Sequence, residues 1–260
     1  MEMKKHILDF EVVENRCIHN LYSLLVVKPA DGGKLPEIKA GQFVQVRIDK
    51  SKTTFLRRPI SVNYVDAGKN ELWLLVRKAG DGTQALAQMK PGEVLNLILP
   101  LGNYFKAREG ESRFLLVGGG VGIAPMLFWG KQLKESGYEP EFLIGARSEA
   151  DLLELEYLNK IGVVHVSTDD GSAGTPGVVT LNPVLMQKWD RVYCCGPAPM
   201  MKAVSALSRN NGVPCDVSLE NMMACGLGAC LCCVEKTVKG NVCVCTEGPI
   251  FNTNELTWHD

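Results

Sequence analysis

Residues 113–136 read RFLLVGGGVGIAPMLFWGKQLKES, which predicts a strand, a glycine turn and a helix in succession. A short apolar run ends in three glycines, and the apolar residues that follow recur at helical spacing. Glycines between a strand and a helix let the backbone approach a pyrophosphate at the helix N-terminus, which is typical of nucleotide-binding α/β domains. The spacing is not strictly G-x-G-x-x-G, so a plain strand-to-helix turn remains the alternative.

Beyond this turn, predicted strands alternate with predicted helices, which indicates a parallel sheet. A second turn, CCGPAPMM at 194–201, places Gly-Pro at another strand end, where ligands of open α/β sheets bind. Two such turns on one sheet edge predict a nucleotide crevice within residues 103–218. In GARSEAD, Glu149 or Asp151 could accept from a ribose hydroxyl, whereas Arg147 could meet a 2′-phosphate, so NAD and NADP both stay open. Helices are predicted over 124–136, 151–160 and 198–210, with a short one around 181–188.

Before the turn, six short strands separated by turn signals predict an antiparallel barrel or sandwich. Within FLRRPISV, Arg58 could pair with a phosphate and the Ser61 hydroxyl could add a hydrogen bond. A solvated basic strand start is the competing interpretation. Gly82 and Thr83 precede a short predicted helix and form a second candidate phosphate site.

Composition describes an ordinary globular chain of 260 residues with a net charge of −1 and 46% hydrophobic residues. This balance argues against a nucleic-acid partner. No apolar run approaches the length of a membrane span, and the first ten residues lack a secretory pattern, so we expect a cytoplasmic protein without membrane contact. In a reducing compartment, ten cysteines favour metal ligands or redox groups over disulfides.

Residues 224–249 read ACGLGACLCCVEKTVKGNVCVCTEGP and hold six of those cysteines. Cys225, Cys230 and Cys233 have the C-x4-C-x2-C spacing of plant-type [2Fe–2S] proteins, whereas zinc more often takes two separated pairs. We expect positive φ angles at Gly226 and Gly228, which turn backbone N–H groups toward sulfur. Zinc remains the alternative, and the residues alone do not choose the fourth ligand, since Cys243 and Cys245 share one face of an extended run.

The barrel with R-P-I-S, the glycine turns GGGVGIAP and CGPAPMM, and the C-terminal ENMMACGLGACLCCVEK…VCTEGPIF resemble the ferredoxin–NADP reductase superfamily. Within it, the chain resembles the electron-transfer subunits of NAD-dependent bacterial dihydroorotate dehydrogenase. The resemblance implies an α+β multidomain fold: an FAD-binding antiparallel β-barrel at 1–102, a central α/β parallel-sheet NAD-binding domain at 103–218 and a small iron–sulfur domain at 219–260.

The resemblance also implies the site residues. In that family the fourth cluster ligand is followed by two residues and then by Gly-Pro. This pattern matches Cys245 and leaves Cys232 and Cys243 as spare cysteines. The implied FAD site comprises Arg58, Pro59, Ile60, Ser61, Leu75, Val76, Arg77, Gly82 and Thr83. The implied NAD(H) site comprises Gly119, Gly120, Gly122, Cys195, Gly196 and Pro197, with Arg147 a bystander. The implied [2Fe–2S] ligands are Cys225, Cys230, Cys233 and Cys245.

The implied activity is electron transfer between NAD(H), FAD, the cluster and a partner. That partner would be an FMN-containing catalytic subunit that oxidises dihydroorotate to orotate in pyrimidine biosynthesis, in a heterotetramer of two subunits of each kind. No candidate base for dihydroorotate stands out here, so we expect no catalytic residue for that step. Two alternatives remain: a reductase subunit of a ferredoxin reductase, hydrogenase or glutamate-synthase-like complex, and a zinc-stabilised nucleotide sensor.

Overall fold

The computed structural model describes residues 4–258, so the extreme ends of the first and third predicted domains lie outside the described residues. The chain forms two compact units. The barrel unit contains the residues up to Tyr104 together with Asn221–Glu235 and Cys243–Pro249. The sheet unit contains Phe105–Glu220, Lys236–Val242 and the residues from Ile250 onward.

Six antiparallel strands close the barrel in the order β1-β2-β5-β4-β3-β6, and pairing of β1 with β6 completes the circle. All six predicted strands are confirmed, and closure leaves no barrel edge open to other chains. One short helix, α1 (Asp81–Ala87), follows β5. The strands are β1 (His6–His19), β2 (Tyr22–Pro29), β3 (Phe43–Val46), β4 (Arg58–Asp66), β5 (Glu71–Arg77) and β6 (Val94–Leu101).

The sheet unit is built on a seven-stranded sheet in the order β10-β9-β8-β7-β11-β12-β15. Its strands run parallel except β15, which pairs antiparallel with β12 and forms one edge. Central strands such as β7 and β11 are buried along their whole length, as expected for a parallel sheet. The strands are β7 (Phe114–Gly119), β8 (Glu141–Ala146), β9 (Val163–Thr168), β10 (Thr175–Pro176), β11 (Arg191–Cys195), β12 (Cys215–Ser218) and β15 (Ile250–Asn252).

Two long helices match their predicted positions, α2 (Ile123–Glu135) and α4 (Ala198–Asn210). The helix predicted over 151–160 is wrong in extent, because only α3 (Leu155–Leu158) is α-helical there. Glu154 adopts a left-handed conformation with φ 56°, which interrupts helical continuity just after the buried Leu153.

The short helix predicted around 181–188 is replaced by two 3₁₀ turns, Val179–Leu181 and Pro183–Met186. Asn182 separates them: its side-chain oxygen accepts from the Val184 N–H, and its amide donates to the Ser167 hydroxyl 3.2 Å away. These hydrogen bonds hold Asn182 in an extended conformation that a continuous helix would not allow.

The C-terminal segment adds a two-stranded sheet of β13 (Val234–Thr237) and β14 (Gly240–Cys243), then the short helix α5 (Val244–Glu247). None of these elements, nor β15, was predicted. The extended run expected through Cys243 and Cys245 is wrong, because β14 ends at Cys243 and Cys245 lies in α5. The three predicted domain ranges remain a proposal about which stretch serves which cofactor. Among the described residues, no helix is both long and apolar enough to cross a membrane.

Candidate cofactor sites

The cysteine loop, residues 225–233 together with the returning stretch Cys243–Pro249, curls as its glycines predict, with φ 71° at Gly226 and φ 81° at Gly228. This curvature aims backbone N–H groups at sulfur. The Leu227 N–H donates to the Cys225 Sγ at 3.3 Å, and the Gly228 N–H donates to the Cys245 Sγ at 3.1 Å. Such N–H···S bonds stabilise thiolates and are a known lever on the reduction potential of an iron–sulfur cluster.

The four proposed ligands lie close to one another. The thiol of Cys225 interacts with that of Cys230, and the thiol of Cys233 interacts with those of Cys245 and Cys243. A binuclear cluster takes four thiolates, which are shared between two irons. Within residues 4–258, the His, Cys, Asp and Glu side chains form no group of three or more that could hold a metal ion.

The two spare cysteines differ in their surroundings. Cys232 is exposed, whereas Cys243 is half-buried and its thiol also interacts with Cys233. Cys245 is buried, and its sulfur accepts a hydrogen bond from the Gly228 N–H. Among the described residues, no backbone hydrogen bond to the sulfur of Cys243 is recorded. This contact supports Cys245 as the fourth ligand, and the assignment stays a prediction.

The thiols at the two ends of the ligand set have opposite pKa shifts. The N–H of Leu227 lowers the pKa of Cys225 to about 6 against the opposing effect of burial, and the N–H groups of Cys230 and Ala229 add to this lowering. Burial, followed by the hydrogen bond with Cys233, raises the pKa of Cys245 to about 12. Coordination to a metal would deprotonate Cys245 outright.

The cysteine loop packs on the barrel within the barrel unit. A methyl group at Gly226 would lie 2.8 Å from the Gln45 Nε2 on β3. At the end of β6, the Asn103 N–H donates to the Gly248 carbonyl at 2.6 Å, and the Asn103 amide donates to the Glu247 carbonyl. The loop is therefore fixed to the same body that carries the predicted flavin motif.

The flavin motif Arg58–Ser61 begins β4, and all four residues are half-buried. The structure brings Arg58 to Gly82, because a methyl group at Gly82 would lie 3.2 Å from the Arg58 Nε and 3.0 Å from the Thr54 Cγ2. The absence of a side chain at Gly82 lets this backbone lie close to the Arg58 guanidinium, which can pair with a phosphate, so Arg58 fits the diphosphate of FAD.

The remaining predicted flavin residues serve differently. Leu75 and Val76 are consecutive buried residues of β5, while Arg77 is exposed. The Thr83 hydroxyl accepts from the N–H groups of Ala79 and Gly80 and therefore shapes the turn before α1. Their contacts with FAD stay predictions.

The two glycine turns of the sheet unit meet at the ends of neighbouring strands, with Gly118 of β7 in register with Cys195 of β11. A methyl group at Gly122 would lie 2.3 Å from the Cys195 carbonyl oxygen, and one at Gly119 would lie 2.6 Å from the Met200 Sδ. The two turns are therefore packed so closely that a side chain has no room at Gly119 or Gly122, and this close packing of glycine turns suits a nucleotide crevice. The Cys195 side chain is fully buried, and burial raises the pKa of its thiol well above the ordinary value.

The candidates for distinguishing NAD from NADP follow β8. Arg147 is exposed, and the Ser148 hydroxyl donates to the Asp151 carboxylate at 2.9 Å. The Glu149 N–H donates to the Ser172 hydroxyl at 2.7 Å, which fixes this turn against the loop after β9. Glu149 and Asp151 thus have defined positions at the same edge of the sheet as the two glycine turns.

Three residues of these sites were missed from the sequence: Gln45, Thr54 and Met200. Gln45 and Thr54 reach predicted site residues through long-range packing, whereas Met200 lies against both Gly119 and Gly196, the latter four positions before it. The one available signal was Gln45, a polar residue in the otherwise apolar run FVQV.

A flavin-type barrel followed by a pyridine-nucleotide sheet defines the class of ferredoxin reductase-like oxidoreductases. The structure of an NADH-dependent reduced ferredoxin–NADP oxidoreductase is similar, with a TM-score of 0.86 and 31% identity over 96% of this chain and 90% of that one. Phthalate dioxygenase reductase shares the fold at a TM-score of 0.66 and 19% identity, over 92% of this chain and 94% of that one.

Sequence comparison narrows the class. Residues 220–257 match the iron–sulfur cluster binding domain of dihydroorotate dehydrogenase B, and residues 116–206 match the oxidoreductase NAD-binding domain. The dihydroorotate dehydrogenase B (NAD(+)) electron transfer subunit of Shouchella clausii is 39% identical, over 83% of this chain and 85% of the relative. That of Clostridium perfringens is 37% identical, over 95% of this chain and 96% of the relative.

The chain belongs to the family of dihydroorotate dehydrogenase B electron transfer subunits. It is an oxidoreductase subunit whose cofactors are FAD, a [2Fe–2S] cluster and NAD(H), in agreement with the sequence-based expectation. A subunit of this kind works with NAD and a separate catalytic subunit.

Proposed function

We propose that this chain carries electrons from an FMN-containing dihydroorotate dehydrogenase subunit to NAD⁺, in a heterotetramer of two subunits of each kind. The organic substrate would be oxidised to orotate on the partner. FAD supplies the exchange between two-electron and one-electron chemistry, and the cluster supplies one-electron transfer. The named relatives support the substrate and the division of labour.

One observation carries the proposal: the cysteine loop packs on β3 and the end of β6 of the flavin-type barrel, within one compact unit. Electron transfer between two cofactors requires that they be held at a fixed short separation. A loop fixed to the barrel by Asn103 and by the Gln45 contact meets that requirement from this chain's own residues.

The residues have separate tasks in this scheme. Arg58, with the backbone at Gly82 close to its guanidinium, would bind the FAD diphosphate, and the turns at Gly122 and Cys195 would bind the dinucleotide. Cys225, Cys230, Cys233 and Cys245 would hold the cluster. No role in dihydroorotate chemistry is assigned to any residue of this chain.

The test compares the purified chain with the chain co-expressed with an FMN-containing dihydroorotate dehydrogenase subunit. We expect the chain alone to reduce dyes with NADH but not to oxidise dihydroorotate, and the complex to reduce NAD⁺ with dihydroorotate. In the complex, Cys245→Ser should abolish dihydroorotate-dependent NAD⁺ reduction while NADH-dependent dye reduction through FAD persists. Oxidation of dihydroorotate by the chain alone would refute the proposal.

A second candidate follows from the structural similarity to the NADH-dependent reduced ferredoxin–NADP oxidoreductase. In that case the chain would be the reductase subunit of a ferredoxin-linked complex. The protein that co-purifies with the chain from its native source distinguishes the two: a flavoprotein that consumes dihydroorotate supports the first, and a ferredoxin-reducing subunit supports the second.

A further inference from the structure

Gln45 is a buried polar residue without a side-chain partner. Its side chain lies in the middle of β3, between Val44 and Val46, and it is fully excluded from solvent. Among the residues that the structure describes, neither its Nε2 nor its Oε1 has a hydrogen-bond partner. Burying an unpaired amide is unfavourable, so a group that satisfies its hydrogen bonds is expected.

The strand geometry shows which way the Gln45 carboxamide points. Side chains alternate along β3, so Phe43 and Gln45 lie on one face and Val44 and Val46 on the other. On the Phe43 side, a methyl group at Gly102 would lie 3.0 Å from the Phe43 ring and 2.5 Å from Pro249. The face of Gln45 therefore meets the C-terminal cysteine segment.

The contact partner of the carboxamide is the loop that holds the first ligand. A methyl group at Gly226 would lie 2.7 Å from the Gln45 Cγ and 2.8 Å from its Nε2. Gly226 follows Cys225 directly, and its backbone belongs to the turn whose N–H groups point at sulfur. The polar end of Gln45 is thus held against the sulfur-binding turn.

The same face of the barrel carries part of the flavin motif. Gln45 is in register with Pro59, and Phe43 with Ser61. Residues directly opposite each other in antiparallel strands project from the same face. Gln45 therefore stands on the face shared by two predicted flavin residues and by the cysteine loop.

We propose that Gln45 is a hydrogen-bond donor to the cluster, with its Nε2 directed to sulfur at the Cys225 side. Thiolate and sulfide sulfurs accept hydrogen bonds and cannot donate them, and the amide nitrogen of Gln45 has two protons to give. A donor at sulfur favours the more negative, reduced state and raises the reduction potential. The inference rests on the proposed ligand set and on no property of the partner subunit.

The test is an EPR-monitored redox titration of the full chain, purified anaerobically with its FAD and iron. Gln45→Met keeps an unbranched side chain but removes both donors. We expect the equilibrium for cluster reduction to fall roughly tenfold, which is ~59 mV for a one-electron couple. Val44→Ala, on the opposite face of the same strand, loosens packing without removing a donor, and its cluster potential should match the wild type.

The outcomes separate the inference from the ligand set beneath it. A wild-type protein without an iron–sulfur spectrum would refute both. A cluster of normal potential in Gln45→Met, or an equal shift in Val44→Ala, would overturn the role of Gln45 alone. A shift in the FAD potential with the cluster unchanged would do the same, because the carboxamide would then serve the flavin.

A measurement on the unmodified sequence covers the case in which Gln45→Met does not fold. Protein synthesised with glutamine labelled with ¹⁵N at the side-chain nitrogen should show a ¹⁵N coupling to the reduced cluster in pulsed EPR. Absence of any such coupling in cluster-loaded protein would refute the proposal.

Discussion

The surroundings of single atoms separate side chains that the sequence leaves equivalent. Cys243 and Cys245 are two residues apart and identical in type, yet Cys245 is buried and accepts a hydrogen bond from Gly228. Spacing alone predicts the first three ligands, because C-x4-C-x2-C fits within one tight loop. The fourth depends on how a distant piece of chain returns to that loop, so it was inferred by resemblance and not from spacing.

The choice of ligands is tested by single serine substitutions. Cys245→Ser should lose the visible absorption of the cluster and its iron, because a serine oxygen is a poor substitute for a thiolate ligand. Cys232→Ser and Cys243→Ser are matched controls in the same segment and should keep both. Absorption spectra and iron counts of anaerobically purified protein measure the effect. Loss of the cluster in Cys243→Ser but not in Cys245→Ser would reverse the assignment.

Local apolar periodicity predicts most secondary-structure elements correctly. Features that depend on long-range contacts are not predicted from it. The six barrel strands and α4 were predicted closely, because each shows a clear apolar pattern over its own length. The helix expected over 151–160 fails at Glu154, where a left-handed residue follows a buried leucine. Gln45 was missed for a related reason: strand register and the packed loop give it meaning, and neither is visible in four residues of sequence.

The turn between β5 and α1 offers a matched pair of substitutions. Gly82→Ala would put a methyl group 3.2 Å from the Arg58 Nε and 3.0 Å from the Thr54 Cγ2, and so would press on the arginine proposed to bind the diphosphate. We expect FAD to dissociate about tenfold more readily, since overpacking of this size costs about 1–3 kcal/mol. Fluorescence titration of the apoprotein with FAD gives the dissociation constant.

Gly80→Ala is the control, because a methyl group there would meet no atom within 4 Å. Gly80 is also extended, with φ −161°, a conformation that alanine adopts without strain. Equal FAD affinities for the two variants would show that the diphosphate does not bind in front of Arg58.

At the scale of the whole molecule, a buried ionic network joins separate stretches of the sheet unit. Arg191 on β11 is only 1% exposed, and its guanidinium pairs with Glu111 at 2.5 Å and with Asp216 on β12 at 3.1 Å. The two carboxylates come from residues 80 positions before and 25 positions after the arginine. Three segments of the unit therefore depend on one side chain.

Substitution of Arg191 should lower the free energy of unfolding far more than substitution of an arginine at the surface. Arg191→Met would leave Glu111 and Asp216 without their counterion, and we expect a loss of about 3–5 kcal/mol in the free energy of unfolding of the sheet unit. Arg47→Met breaks the exposed pair with Asp49 and should cost less than about 1 kcal/mol. Urea denaturation of both holoproteins, followed by tryptophan fluorescence, compares them. Similar losses in the two variants would contradict the role of Arg191.

The path of the chain has a consequence for how such proteins can be recombined. After Glu220 the backbone contributes alternately to the barrel unit and the sheet unit, and its final strand β15 completes the edge of the sheet beside β12. The cysteine segment therefore contributes residues to both units and cannot be exchanged as an independent domain. A chimera that takes residues 220–257 from a distant reductase must also match the barrel surface around Gln45 and the edge of β12 that pairs with β15. Without that match, we expect neither unit to fold correctly.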